Sequence, residues 1–342
     1  MKRELNGTER PGPNGAIVKR ELPKARYRDI VGSSLLIESR NVARYVGVEK
    51  LYLKFEGGNP TGTQKDRISL ALAEKAKLEG FDSIATASCG NFGAAIAYAA
   101  KLWELKSHIF IPKDYHLPKD RVKRMLDSGA EIHYEEGQYE DLVIRSSELC
   151  REYGWFNANP GVDGVKELSI REYAEISMEI FRELRRAPDY VFVPVGNGTT
   201  LAGVYEGFKK LHESGKIPLV PRIVATSTRR GNPIVKSYKL KSRRMIDLGR
   251  DEIRESRVNE PLTNWHSFDG QEALDAIYES GGFAEYASDT KMIEFARLLR
   301  QEEGLNVLPA SASTLAVMND LADSKVTVMG RFVAILTGRD FS

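Results

Sequence analysis

Lys65 closes the stretch EGGNPTGTQKDR (56–67), behind Gly57, Gly58, Pro60 and Gly62 and directly ahead of an apolar helical pattern. An amine held there out of water would have a lowered pKa and could serve as nucleophile or base, whereas a solvated turn lysine would do neither. Three other stretches put small residues after an apolar run and before a helix, where open α/β sheets collect ligands. In TASCGNFG (86–93), Gly90 and Gly93 either admit a flat ligand or simply allow the turn. VPVGNGTTLAG (193–203) opens a helix with glycines, so its backbone N–H groups suit a phosphate. It is not a G-x-G-x-x-G match, because residue 201 is leucine, and it carries no Walker lysine. ILTGRD (335–340) ends an apolar strand in Thr337 and Gly338. A lysine, a phosphate loop and a hydroxyl would together serve a cofactor that carries an aldehyde, a phosphate and a ring nitrogen.

Other chemistries find less support. His108, His116, His133, His212 and His266 are scattered, with no H-E-x-x-H or paired spacing, so no metal site is expected. No G-x-S-x-G elbow is present. The two cysteines, Cys89 and Cys150, cannot build a disulfide framework or a zinc ribbon and read as reduced thiols of a cytoplasmic protein. Lys plus Arg number 50 against 48 Asp plus Glu, a formal charge of +2 that gives no ground for a nucleic-acid or membrane partner. No apolar run approaches the roughly 18 residues that span a bilayer. The first 29 residues mix both signs of charge without an apolar h-region, and residues 1–30 are expected to form an arm on the surface or on a partner subunit.

These candidates need elements to position them. Short apolar runs at 51–56, 83–88, 107–112, 130–136, 155–159, 190–196 and 222–227 read as strands. Between them, helical patterns run over 67–80, 91–102, 119–128, 140–153 and from Lys166 onward, where Ile170, Tyr173, Ala174, Ile180, Phe181 and Leu184 keep helical spacing. Strands alternating with helices predict a mainly parallel α/β sheet. Two stretches break the rhythm: residues 229–262, polar and basic, which read as a long surface excursion or lid, and LPASAST (308–314), a turn of small residues.

On these motifs the chain resembles the fold-type II pyridoxal-phosphate enzymes, and within them the threonine synthases, from about Gly32 to Thr337. NPTGTQKDR is similar to that family's N-P-T-G-S-F-K-D-R, which implies that Lys65 is the lysine bonded to the cofactor's aldehyde. SCGNFG resembles the asparagine loop, implying that Asn91 meets the phenolic oxygen and that Ser88, Asn91 and Phe92 lie beside the substrate carboxylate. PVGNGT resembles the phosphate loop, with Gly196, Asn197, Gly198, Thr199 and Thr200 around the cofactor phosphate. LTGR implies Thr337 at the pyridine nitrogen. LPASAST resembles E-P-A-S-A-A-T, with Leu308 in place of the glutamate. The implied architecture is tryptophan synthase β-like: two doubly wound open sheets, a large domain from 31–80 and 160–342, and a small domain of 81–159 inserted between them. A homodimer is implied as well.

The implied activity is a carbon–oxygen lyase that turns O-phosphohomoserine and water into threonine and phosphate. One departure bears on substrate. The family segment N-P-x-R-x-E-G-Q-K-T carries an arginine for the substrate phosphate, and NANPGVDGVKE (157–167) has Val162 there, keeping Lys166. A buried dianion needs charged partners, so Arg229 and Arg230 are expected to replace it if their loop folds inward. Otherwise the substrate is O-phosphoserine, serine or threonine, in β-replacement or β-elimination. An NADP oxidoreductase and a non-enzymatic amino-acid sensor are the further alternatives; Lys65 has no catalytic use in either.

Overall fold

The computed structural model describes residues 29–88, 90–113, 119–323 and 329–341. The arm expected over 1–30 lies almost wholly outside the described residues, as do Cys89 and His116. In chain order the elements are β1 (Leu35–Ser39), α1 (Asn41–Val46), β2 (Lys50–Phe55), α2 (Lys65–Leu78), β3 (Ser83–Ala87), α3 (Asn91–Leu102), β4 (Lys106–Pro112), α4 (Lys119–Asp127), β5 (Glu131–Glu135), α5 (Tyr139–Tyr153), β6 (Phe156–Asn157) and α6 (Val165–Leu184). They continue with β7 (Tyr190–Pro194), α7 (Thr199–Glu213), β8 (Arg222–Thr228), α8 (Pro233–Lys239), α9 (Gly270–Glu279), β9 (Phe283–Ala287), α10 (Asp289–Glu303), α11 (Ser313–Asp323) and β10 (Arg331–Leu336).

The strands sort into two sheets. Six run in the order β1-β2-β10-β7-β8-β9 and four in the order β5-β4-β3-β6. All pairings are parallel except that of β1 with β2. Parallel strands carry helices on their faces and so read as continuous apolar runs, which is how β7 (YVFVP) reads. β1 and β9 are edge strands with half-exposed residues, and neither shows a clean period in the sequence. One apolar cluster joins the two sheets. It runs from Ile84 and Ile109 through Leu72, Ala73 and Ile176 to Val191 and Ile223.

Helix contacts set the site's geometry. On α7, Gly203 and Gly207 lie against α6, and a Cβ on Gly203 would stand 2.4 Å from the Tyr173 Cβ. A Cβ on Gly207 would stand 2.4 Å from the Ala174 carbonyl oxygen. This close approach brings Tyr173 and the N-terminus of α7 to the same side of the molecule.

Residues 229–262 are only in part the surface excursion expected from their polarity: most of 239–257 is exposed, but 231–235 is buried. Helix α8 buries Pro233, Ile234, Val235 and Ser237, while Lys236 pairs with Glu252 and Lys239 with Glu285 on the outside. The charges are satisfied at the surface and the apolar residues turn inward. Strand pairing also gathers residues that chain spacing kept apart: β4 against β5 sets His108 opposite Glu131, with His133 two residues further along.

Candidate active site

Cavity walls come from the carboxyl ends of strands in both sheets, which enclose about 400 Å³. Lys65 is the first residue of α2 and lines this space. The turn before it is tied to the end of β10. Gln64 N–H donates to the Thr337 carbonyl at 3.0 Å, and Arg339 N–H to the Gly62 carbonyl at 2.8 Å. From the other side Asp66 accepts from the Thr61 N–H at 2.8 Å and hydroxyl at 2.6 Å. The lysine amine lies 5.6 Å from the centroid of the Phe92 ring and 5.9 Å from that of Tyr173. Among the described residues it has no hydrogen bond or ion pair. Burial pushes its pKa down to about 8, against an opposing pull from Asp269.

Helix α3 starts at Asn91 on one wall, beside Ser88, Gly90 and Phe92. The Ser88 hydroxyl accepts from the Gly93 N–H at 2.8 Å and the Gly90 N–H at 3.2 Å, so it caps this helix. The N–H groups of Asn91 and Phe92 have no acceptor among the described residues, which leaves them available to an anion. Opposite stands the glycine turn Gly196–Gly198 at the head of α7. Gly198 has φ +95°, and a Cβ on Gly196 would meet the Pro261 carbonyl at 2.6 Å. No larger residue fits either position without moving the turn. Thr199 donates its hydroxyl to Asp269 at 2.5 Å, a carboxyl whose pKa burial raises. Also in the lining, the Thr337 and Ser311 hydroxyls are 3.0 Å apart.

Of the residues singled out from sequence, Lys65, Ser88, Asn91, Phe92, Lys166, Gly196, Asn197, Gly198, Thr199, Thr200 and Thr337 all line the one cavity. Asn197 is engaged elsewhere: its side-chain oxygen accepts from Asn264 and the Phe268 N–H, each at 3.3 Å, and it thereby braces the turn. Lys166 is ion-paired with Glu272 at 2.5 Å. Arg229 and Arg230 are not brought in. Both are exposed at the end of β8, and Arg230 sits 3.6 Å from Asp289. The loop that does fold inward lies further along, with Ile253, Glu255 and Glu260–Trp265 in the cavity wall. Val162 packs against the core and is not part of the lining.

Several site residues escaped sequence reasoning. Asp269 and Asn264 precede α9 in NWHSFDG, where a polar run ending in Asp-Gly was the available signal. Ser311 lay inside a recognised motif without an assigned role. Arg121 gave no local signal. It is buried, 2.7 Å from Glu260, and its Nη1 stands 2.6 Å from where a Cβ on Gly90 would be. It therefore lies one layer behind two residues of the lining.

Comparison with known proteins places this architecture. Residues 27–338 match the family model "Pyridoxal-phosphate dependent enzyme", and the chain belongs to that family. It is a pyridoxal-phosphate-dependent enzyme of fold type II. The chain is 29% identical over 312 residues to the threonine synthase of Methanocaldococcus jannaschii, covering 90% of this chain and 74% of that one. It is 31% identical over 309 residues to the threonine synthase of Bacillus sp. (strain ULM1), covering 90% and 82%. Among solved structures, maize serine racemase superposes with TM-score 0.76 at 19% identity, covering 93% of this chain and 92% of that one. The processed form of threonine deaminase isoform 2 from Solanum lycopersicum gives 0.76 at 18%, covering 93% and 87%. At such identities these two speak for the fold. The cavity fits the cofactor on its own chemistry: an unpaired, half-buried amine, a glycine turn at a helix N-terminus, and a hydroxyl pair in the same lining.

Proposed function

We propose that this protein is a carbon–oxygen lyase of the threonine synthase type, acting on O-phosphohomoserine and water. The observation that carries this is the unpaired Lys65 amine, set between α3 and the glycine turn, in a chain similar over 90% of its length to the threonine synthases named above. Bound pyridoxal phosphate supplies an electron sink for the charge left when a proton departs from the substrate's α carbon. Lys65 anchors the cofactor's aldehyde. With a pKa of about 8, about a tenth of this amine is unprotonated at pH 7, enough to take and return protons at carbon. The N–H groups of Gly198, Thr199 and Thr200 cradle the cofactor phosphate, and Thr337, oriented by Ser311, meets the ring nitrogen. Asn91 meets the phenolic oxygen, and the head of α3 holds the substrate carboxylate. In this scheme residues 81–159 form the small domain and carry α3, and the enzyme is a homodimer.

The substrate phosphate needs a cation, and Arg229, Arg230 and Val162 do not offer one at the cavity. Arg121 takes that role: Glu260 turns away and the guanidinium meets the phosphate beside Gly90. Release of phosphate together with threonine from O-phosphohomoserine tests the activity, and Arg121→Met tests the assignment. KM for O-phosphohomoserine should rise by at least about tenfold, as expected when a charged hydrogen bond worth some 1.5–3 kcal/mol is lost. Unchanged KM would remove Arg121 from the substrate site.

One observation favours a second reading. Glu140, Glu255, Glu260 and Asp269 line the cavity against Lys65 and Lys166 as the lining cations. Such a surface suits a substrate with a neutral side chain, so β-elimination from serine or threonine is the alternative. Ammonia and a 2-oxo acid formed from these, with no phosphate released from O-phosphohomoserine, would select it.

A further inference from the structure

The small sheet holds a group of side chains that the cavity does not use. His108 on β4 and Glu131 and His133 on β5 project from one face, because His108 is registered opposite Glu131 and His133 lies two residues beyond. His108 Nδ1 is 3.2 Å from His133 Nε2 and 3.4 Å from Glu131 Oε2, and His133 Nε2 is 3.8 Å from Glu131 Oε1. An ion bonded tetrahedrally at about 2.0–2.1 Å keeps its ligand atoms about 3.4 Å apart. The separations of His108 from His133 and from Glu131 Oε2 lie near that value, and the 3.8 Å from His133 is to the other carboxylate oxygen, so a small turn of the exposed Glu131 side chain completes the set.

Aromatic neighbours hold both imidazoles in place. His108 stacks on Trp155 with ring centroids 3.8 Å apart and planes 9° apart, and His133 stacks on Phe110 at 4.7 Å and 18°. Flat stacking fixes each ring plane before any ligand arrives, as a metal site requires. Exposure is graded across the group: the His108 side chain is 8% exposed, that of His133 26% and that of Glu131 67%. The Glu131 side therefore faces solvent, giving an ion an entry path and a water for its remaining position.

We propose that His108, His133 and Glu131 form a binding site for a zinc-class divalent ion that clamps the edge strand β5 to β4. Two imidazoles and one carboxylate are the ligand set of open, three-residue zinc sites, and such a set discriminates against calcium and magnesium, which take oxygen ligands. None of the three residues lines the cavity, so the site is separate from the cofactor chemistry and does not rest on the proposed reaction. The pattern could not be seen along the chain because 25 residues separate the histidines. Strand pairing removes that distance.

The test uses chelator-treated, desalted holoenzyme titrated with zinc alone, read by calorimetry and by metal analysis after gel filtration. Wild type should retain about one zinc per chain and show a higher thermal midpoint with the metal. His133→Ala, at the more exposed imidazole, should lose both the retained zinc and the thermal shift. Glu131→Gln should weaken binding at least about tenfold. His212→Ala, on α7 and distant in sequence from the cluster, should behave as wild type, and cofactor absorbance should stay constant throughout. Absence of retained zinc in the wild type, or equal retention by His133→Ala, would overturn the site. A lone hydrogen bond between the two rings would then account for the geometry.

Discussion

Lys54 and Lys65 lie eleven positions apart, on either side of the glycine turn, the first wholly buried and the second half-buried at the cavity. Their surroundings differ above all in pairing. Lys54 is wholly buried and paired, with Glu179 at 2.6 Å and the Ser34 carbonyl at 2.6 Å. Arg67 completes the group, paired with Glu56 at 2.7 Å and Glu179 at 2.8 Å, so two cations face two carboxylates. Lys65 looks into the cavity without such a partner, beside two aromatic rings. The same residue type is held by pairing in one place and left unpaired at the cavity in the other, which is the difference the proposed role of Lys65 rests on. The paired group also serves the unpaired one: Asn59 donates to Glu56 at 2.9 Å, which fixes the start of the turn that ends in Lys65.

Removing each side of this pair should fail differently. Lys65→Ala should cost turnover at least about 10³-fold, in the range for a lost proton-transfer group, while leaving unfolding by urea near wild type. Residual turnover within tenfold of wild type would break the comparison. Glu179→Gln leaves Lys54 and Arg67 short of a carboxylate and should cost about 3–5 kcal/mol of stability by urea unfolding. Its effect on turnover should follow only from the unfolded fraction.

The same contrast has a pH signature. Contacts with Arg67 and Lys54 overcome the burial of Glu179 and hold its pKa down to about 2, from an ordinary 4.5. A folded-state pKa below the unfolded one gives stability that is present above about 4.5 and lost as pH falls from there through about 2. The loss should amount to roughly 3 kcal/mol over that window. A pH series of urea midpoints for wild type and Glu179→Gln would show it, and parallel curves would refute it. A smaller effect is expected at the cavity. Asp269 raises the Lys65 pKa against the larger lowering by burial, so Asp269→Asn should move that pKa down. The rate at which apoenzyme combines with pyridoxal phosphate should then show its acid limb at lower pH than the wild-type limb near 8. A limb that moved upward would mean that Asp269 acts on the amine in the opposite sense.

Much of this contrast was legible in the sequence. Gly57, Gly58, Pro60 and Gly62 mark the turn, the apolar pattern behind Lys65 marks the helix, and α3 spans the residues its period marks, Asn91–Leu102. These are local signals, carried by residues close together in the chain. The Lys54–Glu179 pair spans 125 residues, and Arg121–Glu260 spans 139. A charged residue in sequence does not reveal whether its partner waits across the fold, so the exposed Arg229 and Arg230 stood out while Arg121, behind the cavity wall, did not. Polarity misled over the α8 segment for the same reason, since Lys236 and Lys239 find partners that let Ile234 and Val235 turn inward.

The central claim is that Lys65, and not its paired neighbour, is the amine that holds the cofactor. Reduction of the holoenzyme with borohydride, followed by peptide mass mapping, addresses it directly. A pyridoxyl-phosphate mass increment on the peptide containing Lys65, with Lys54 and Lys166 unmodified, is the predicted result. An increment on another lysine, or none from protein whose spectrum shows the cofactor bound, would contradict the account.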